Sequence, residues 1–154
     1  HYACRSNPSV GVVSKVVEVG GEELVRETNN WGANSLHFEY ANNALIDVVS
    51  KLVEVGGEAL VREKDDSGYS SLHFACMYNA SIYVVSKLVE IGGEALVRET
   101  DNQGDNSLHC ACIGATLANN YMEYALLHET FLNIITQQGG AQILTQTNNE
   151  GKTP

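Results

Sequence analysis

Gly68-Tyr69-Ser70-Ser71-Leu72-His73-Phe74-Ala75-Cys76 is one of several passages in this chain built on a common plan. Leu36-His37, Leu72-His73 and Leu108-His109 stand 36 residues apart, and His1 falls one period before His37. The rest of the period agrees. Val12-Val13-Ser14-Lys15 returns as Val48-Val49-Ser50-Lys51 and as Val84-Val85-Ser86-Lys87, while Gly20-Gly21 returns as Gly56-Gly57 and Gly92-Gly93. A period of this size is the signature of a repeat array rather than of one compact core.

Each period opens with a residue that caps a helix, Asn34, Ser70, Asn106 or Thr153, whose side-chain oxygen accepts from the open N–H groups of a first turn. Ser35, Ser71, Ser107 or Pro154 follows, and proline suits the first helical position. Leu72, Ala75 and Cys76 are spaced as the buried stripe of a short first helix requires. A second helix is predicted over residues 82–90, with Val84, Val85, Leu88, Val89 and Ile91 as its apolar face. Gly92-Gly93 is expected to end it in a left-handed conformation. The next stretch crosses to the following unit through Leu96-Val97 and a polar turn at Gly104. Gly32, Gly68, Gly104 and Gly151 hold that place in turn, which implies positive φ there. One unit is therefore helix, turn, helix, finger-like loop.

These residues resemble the ankyrin repeat: a Gly-x-[Thr/Ser/Asn]-[Pro/Ser]-Leu-His start, an Ala-rich first helix, Val-Val before a Leu-rich second helix, and a Gly-marked end. Thr153-Pro154 after Gly151-Lys152 restores the Thr-Pro pair of that family. The resemblance spans the chain as four units, approximately residues 1–34, 35–70, 71–106 and 107–154, in a single domain. It implies an all-α solenoid of stacked helix-turn-helix units joined by fingers of β-hairpin type. The period of 36 exceeds the family's usual repeat of about 33 residues, with the excess placed near Asn79-Ala80-Ser81 and in 94–100. In the fourth unit Gly139-Gly140 follows Gly92-Gly93 by 47 residues, an insertion of 11. The segment from Leu117 to Thr136 is rich enough in apolar residues for a longer second helix. A tolerated insertion in a terminal unit is the reading preferred over a partner-specific protrusion at 118–127.

Composition narrows the function. With 44% hydrophobic and 18% charged residues, the chain has the material for a packed core. Its net charge of −10 opposes nucleic acid and anionic lipid, which need cationic surface. Much of the acid belongs to the repeat itself, at Glu18, Glu54 and Glu90 and at Glu27, Glu63 and Glu99, and reads as a solvated face. No apolar run approaches the roughly 20 residues of a membrane span. His-Tyr-Ala-Cys-Arg at the start lacks the pattern of a signal peptide, and the ends cut the repeat in phase, so the chain is expected to be part of a longer array. Unpaired thiols suit a reducing, intracellular, cytoplasmic compartment.

Catalysis has no visible address. His1, His37, His73 and His109 occupy one repeat position and read as framework hydrogen-bonding residues, because metal ligands must converge on one point. His128 lies outside the pattern without an evident partner. Cys4, Cys76 and Cys112 share a position and read as small core residues. Stacked helices about 8–10 Å apart leave Cys76 and Cys112 too distant to bridge, and the i, i+2 spacing of Cys110 and Cys112 points two thiols apart. Phosphate-binding glycine loops and nucleophile elbows are missing. No cofactor, metal or small-molecule substrate is expected.

Function is instead sought where the units differ. Residues 51–63 and 87–99 differ only at Val55 and Ile91. By contrast, Trp31 gives way to Ser67, Gln103 and Glu150, Ala33 gives way to Tyr69, Asp105 and Lys152, and the inner-helix pair reads Arg5-Ser6, Ala41-Asn42, Met77-Tyr78 and Ile113-Gly114. In the ankyrin family such positions line a concave groove that contacts partner proteins. The resemblance thus implies a partner-protein site at Trp31, Ala33, Ala41, Asn42, Asp66, Ser67, Tyr69, Met77, Tyr78, Gln103, Asp105 and Ile113. Trp31, Tyr69, Met77 and Tyr78 are the expected anchors, since aromatic residues and Met are enriched at interfaces. The alternative is a structural spacer or self-associating segment. Glu39 stands where other units have Ala3, Ala75 and Ala111. A carboxylate there costs several kcal/mol unless paired, with Arg26 or Arg62 as the available cations.

Overall fold

A computed structural model of the 154-residue chain describes residues 10–40, 46–78, 80–117, 132–137 and 140–154. The helices are α1 (Val10–Arg26), α2 (Ser35–Tyr40), α3 (Ile46–Arg62), α4 (Ser71–Met77), α5 (Ile82–Val97), α6 (Ser107–Leu117) and α7 (132–137), followed by a 3-10 turn at Ala141–Leu144. The fold is all-α. Its loops carry isolated antiparallel bridges, Lys64 with Ser70 and Thr100 with Asn106, and among the described residues no strand ladder forms where β-hairpins were expected.

Two helical layers result from the 36-residue period. The short helices α2, α4 and α6 pack on one another in sequence, the long helices α1, α3 and α5 do the same, and the layers close on each other through α2–α3 and α4–α5. Between them runs one core of Leu36, Leu72 and Leu108 from the short helices with Val48, Leu52, Val84 and Leu88 from the long ones. Fully burying each such side chain contributes roughly 1.5–3 kcal/mol, so the apolar stripes explain why helices of only six or seven residues persist.

Capping holds the short helices in register. Asn34 Oδ1 accepts from the N–H groups of Leu36 (3.0 Å) and His37 (3.4 Å), and Asn106 Oδ1 does the same for Leu108 and His109. Asn34 also donates through Nδ2 to the Leu60 carbonyl and to Glu63, which joins its helix to the end of the next long helix. Ser35 Oγ and Ser71 Oγ donate to the carbonyls of Val25 and Val61, satisfying acceptors left open at the ends of α1 and α3.

The long helices correct one expectation. Gly93 does adopt a conformation closed to other residues, φ 60° and ψ −161°, but a further helical turn follows, so α5 runs to Val97 rather than stopping at residue 90. Gly57 and Gly21 repeat the kink. The cause is the apolar pair Leu96-Val97, which is fully buried and anchors that extra turn in the core. Gly92 makes room for it, since a Cβ there would lie 2.5 Å from the Leu96 side chain.

Ion pairs tie the outer ends of the long helices together. Arg26 Nε donates to Glu63 at 2.6 Å and Arg62 Nε to Glu99 at 3.1 Å, and Arg98 meets Gln142 at 3.0 Å in the fourth unit. Both arginines considered for Glu39 are thus engaged elsewhere. The side chain of Glu39, residues 1–9 with His1 and Cys4, Asn79, the insertion at 118–127 and His128 lie outside the described residues. No helix of the described residues is long and apolar enough to cross a membrane.

Candidate functional site

The fingers are built on a residue that sequence reading passed over. Asn29, Asp65, Asp101 and Asn148 each accept two backbone N–H groups with one side-chain oxygen, from the residues two and four further on. This turn bends the chain back so that the first of the four residues also donates its own N–H to the carbonyl of the last. The glycine at the tip has positive φ in all four fingers. At Gly68 a Cβ would lie 2.8 Å from the Asn102 nitrogen, so glycine is required both for the turn and for the approach of the next finger.

Successive fingers are hydrogen-bonded to one another at the tips. Asp66 N–H donates to the Trp31 carbonyl (3.0 Å), Asn102 N–H to Ser67 (3.0 Å) and Asn149 N–H to Gln103 (2.9 Å). At the base the recurring histidines make the second link. His37, His73 and His109 place Nε2 at 3.0, 3.1 and 2.9 Å from the carbonyls of Tyr69, Asp105 and Lys152. A carbonyl only accepts, so Nε2 carries the hydrogen, and Nδ1 accepts from the N–H of Asn34, Ser70 or Asn106. Burial lowers the pKa of His37 and pushes that of His73 down to about 4, which keeps both rings neutral in this role.

The face formed by the finger tips and short helices carries the expected partner-contacting positions unevenly. Trp31 is 72% exposed, and Asp66, Ser67 and Gln103 are exposed beside the tip hydrogen bonds. Tyr78 and Ile113 present 49% and 39% of their surface from the short helices, with Met77 partly covered. Ala33 and Asp105 are each only 9% exposed and offer little to a partner. Ala41 and Asn42 lie outside the described residues. Between the third and fourth fingers and α6 lies an open depression of about 530 Å³ lined by Gln103, Asp105, His109, Ile113 and Lys152 among others.

Tyr69 leaves the finger and begins an aromatic row. Its ring meets Phe74 edge-on at 5.6 Å and His73 at 5.9 Å, and Phe74 stacks on Tyr78 at 5.9 Å with 21° between planes. Sequence reading named Tyr69 and Tyr78 but missed Phe74, because a residue next to the invariant His reads as core. Burial, then the charge of Asp101, raises the Tyr69 phenol above its ordinary range, so it stays protonated.

The cysteines among the described residues are shielded. Cys76 and Cys110 are buried and Cys112 half-buried, all three free, and burial raises each thiol's pKa, so the reactive thiolate is disfavoured. Among the described residues no three His, Cys, Asp or Glu side chains converge as a metal would need.

Neither a family model nor a curated protein matches this chain.

Proposed function

We propose that the chain is a four-unit array of ankyrin type and a non-catalytic module that binds a partner protein through the concave surface of its fingers and short helices. The observation that carries this reading is the contrast between positions. The histidines that bond to the next finger and the finger glycines that allow its approach recur, whereas the side chains at 31, 67, 103 and 150 change identity and take no part in the hydrogen bonds between fingers. Large exposed side chains on that face, Trp31, Tyr78 and Ile113, are of the kind that supply interface energy. Cys76, Cys110 and Cys112, the cysteines among the described residues, are free, which is compatible with a reducing, intracellular setting.

Affinity capture tests it, with the wild-type chain and a Trp31→Ala/Tyr78→Ala variant of unchanged helicity as parallel baits. A protein retained by the first and lost by the second supports the groove. Capture insensitive to the pair refutes it.

One observation favours the alternative of self-association. Val16, Val19 and Leu24 on α1 are exposed, Val19 at 81%, while their counterparts Leu52 and Leu60 on α3 are buried against α1 itself. If this stripe is a stacking surface, sedimentation will show concentration-dependent association that Val16→Lys/Val19→Lys abolishes.

A further inference from the structure

Among the described residues the cations are all paired, whereas the aspartates of two fingers are not. Every Lys and Arg among the described residues forms an ion pair: Lys15, Lys51 and Lys87 each with the Glu three residues on, Arg26, Arg62 and Arg98 each with the Glu four residues back, Lys64 with Glu99, and Lys152 with Glu150. The framework glutamates are thereby largely matched. Asp65, Asp66, Asp101 and Asp105, all in the second and third fingers, form no ion pair with any described residue.

Two of those charges are surplus to the fold. Asn29 and Asn148 make the same finger turn as Asp65 and Asp101 with a neutral amide oxygen, so the turn needs an acceptor and not a negative charge. Asp101, only 6% exposed and with the Tyr69 phenol beside it, keeps its charge inside the finger, whereas Asp65 is half-buried and Asp66 exposed. Beside these carboxylates starts the row Tyr69, Phe74, Tyr78, whose ring faces attract cations.

We infer that the concave face takes a cationic segment of its partner protein, an Arg- or Lys-rich stretch lying along the Tyr69–Phe74–Tyr78 row with its positive groups toward Asp65 and Asp66. This rests on the groove reading above and specifies the chemistry of its occupant. An anionic or nucleic-acid partner meets uncompensated carboxylates here, and the lysines of the fingers, Lys64 and Lys152, already stand in ion pairs.

The test is an NMR titration of the labelled chain with three short peptides of equal length, one Arg/Lys-rich, one Asp/Glu-rich and one Gly/Ser-rich, each at low and at screening ionic strength. The cationic peptide is expected to shift Trp31, Tyr69, Met77 and Tyr78 saturably. Asp65→Asn/Asp66→Asn, which installs the pair found at Asn29 and Asn30 in the first finger, and Tyr78→Leu, which keeps apolar contact with Phe74 but removes the ring, should each weaken it roughly two- to five-fold, and Tyr78→Phe should restore affinity. Glu23→Gln and Asp47→Asn, on the long helices, should leave it unchanged. Equal weakening by these last two would mean diffuse attraction and overturn the inference. Groove shifts with the acidic or neutral peptide instead would overturn the cationic occupant while leaving the groove reading standing. Shifts confined to α1 would overturn both.

Discussion

Acidification should unlock the fingers through His73, and the size of the effect follows from its surroundings. The ring is fully buried, Nε2–H donates to the Asp105 carbonyl, and Nδ1 accepts from Ser70 N–H at 3.1 Å with the Ser70 hydroxyl 2.8 Å away. A second proton on Nδ1 would displace the Ser70 N–H from its acceptor and put a charge into a fully buried site, with the Ser70 hydroxyl as the nearby oxygen to receive it. Burial accordingly lowers the pKa from 6.5 to about 4. Since the unfolded chain binds the proton more tightly, this stability is complete above pH 6.5 and declines as pH falls toward 4. At about 1.4 kcal/mol per unit the full loss is roughly 3 kcal/mol, of which about 2 is gone at pH 5. His37, lowered by burial in the same way, adds in the same direction. Urea denaturation followed by circular dichroism at several pH values, for the wild type and His73→Gln, isolates the term. Carboxylates contribute alike to both proteins, and the variant should be less stable at neutral pH but lose about 2 kcal/mol less on acidification. Parallel pH profiles, or an NMR titration placing His73 near 6.5 or its proton on Nδ1, would refute the reasoning.

Three other perturbations probe the framework. Gly68→Ala should cost about 1–3 kcal/mol for the left-handed backbone alone, plus displacement of Asn102. Gly151→Ala, with nothing within 4 Å, carries only the backbone part, so equal melting losses for the two would deny the finger-to-finger contact. Leu72→Ala, at a fully buried site between the layers, should destabilise by about 2–5 kcal/mol in chemical denaturation. In the native protein an Ellman-type reagent should label Cys112 before Cys76 and Cys110, the last two only on unfolding, as mass spectrometry of timed aliquots would show.

The period, the two helices of the second and third units and the caps Asn34 and Asn106 were legible in the sequence, because each is fixed by local rules repeated at constant spacing. The end of the long helix was not. Gly92-Gly93 is a stop signal by propensity, and only the three-dimensional core supplies the burial of Leu96 and Val97 that continues the helix past it. At the candidate site, Trp31 and Tyr78 were readable as variable large residues, whereas the burial of Ala33 and Asp105 depends on how the next finger lies across them. Asn29, Asp65, Asp101 and Asn148 did leave a signal, the first three at the 36-residue spacing and the fourth displaced with the insertion. It is a mixed Asn/Asp position, easily taken for solvated surface unless the turn is recognised.

The ladder between fingers explains how a rigid scaffold and a changeable surface coexist in one stretch of chain. At the tips, residues 31, 67 and 103 contribute only a carbonyl to the next finger, a group every amino acid has. Trp, Ser and Gln can therefore occupy the same place, because the side chain takes no part in the bond that positions it, and exchanging exposed side chains of this kind costs at most about 0.5 kcal/mol. At the base the opposite holds. The histidine must span from its own cap to the next finger, so its identity is dictated at 37, 73 and 109 alike. Position 65 and its counterparts lie between these extremes, since the turn demands an oxygen and is indifferent to charge. A negative charge at 65 and 101 but not at 29 and 148 is thus a choice left open by folding.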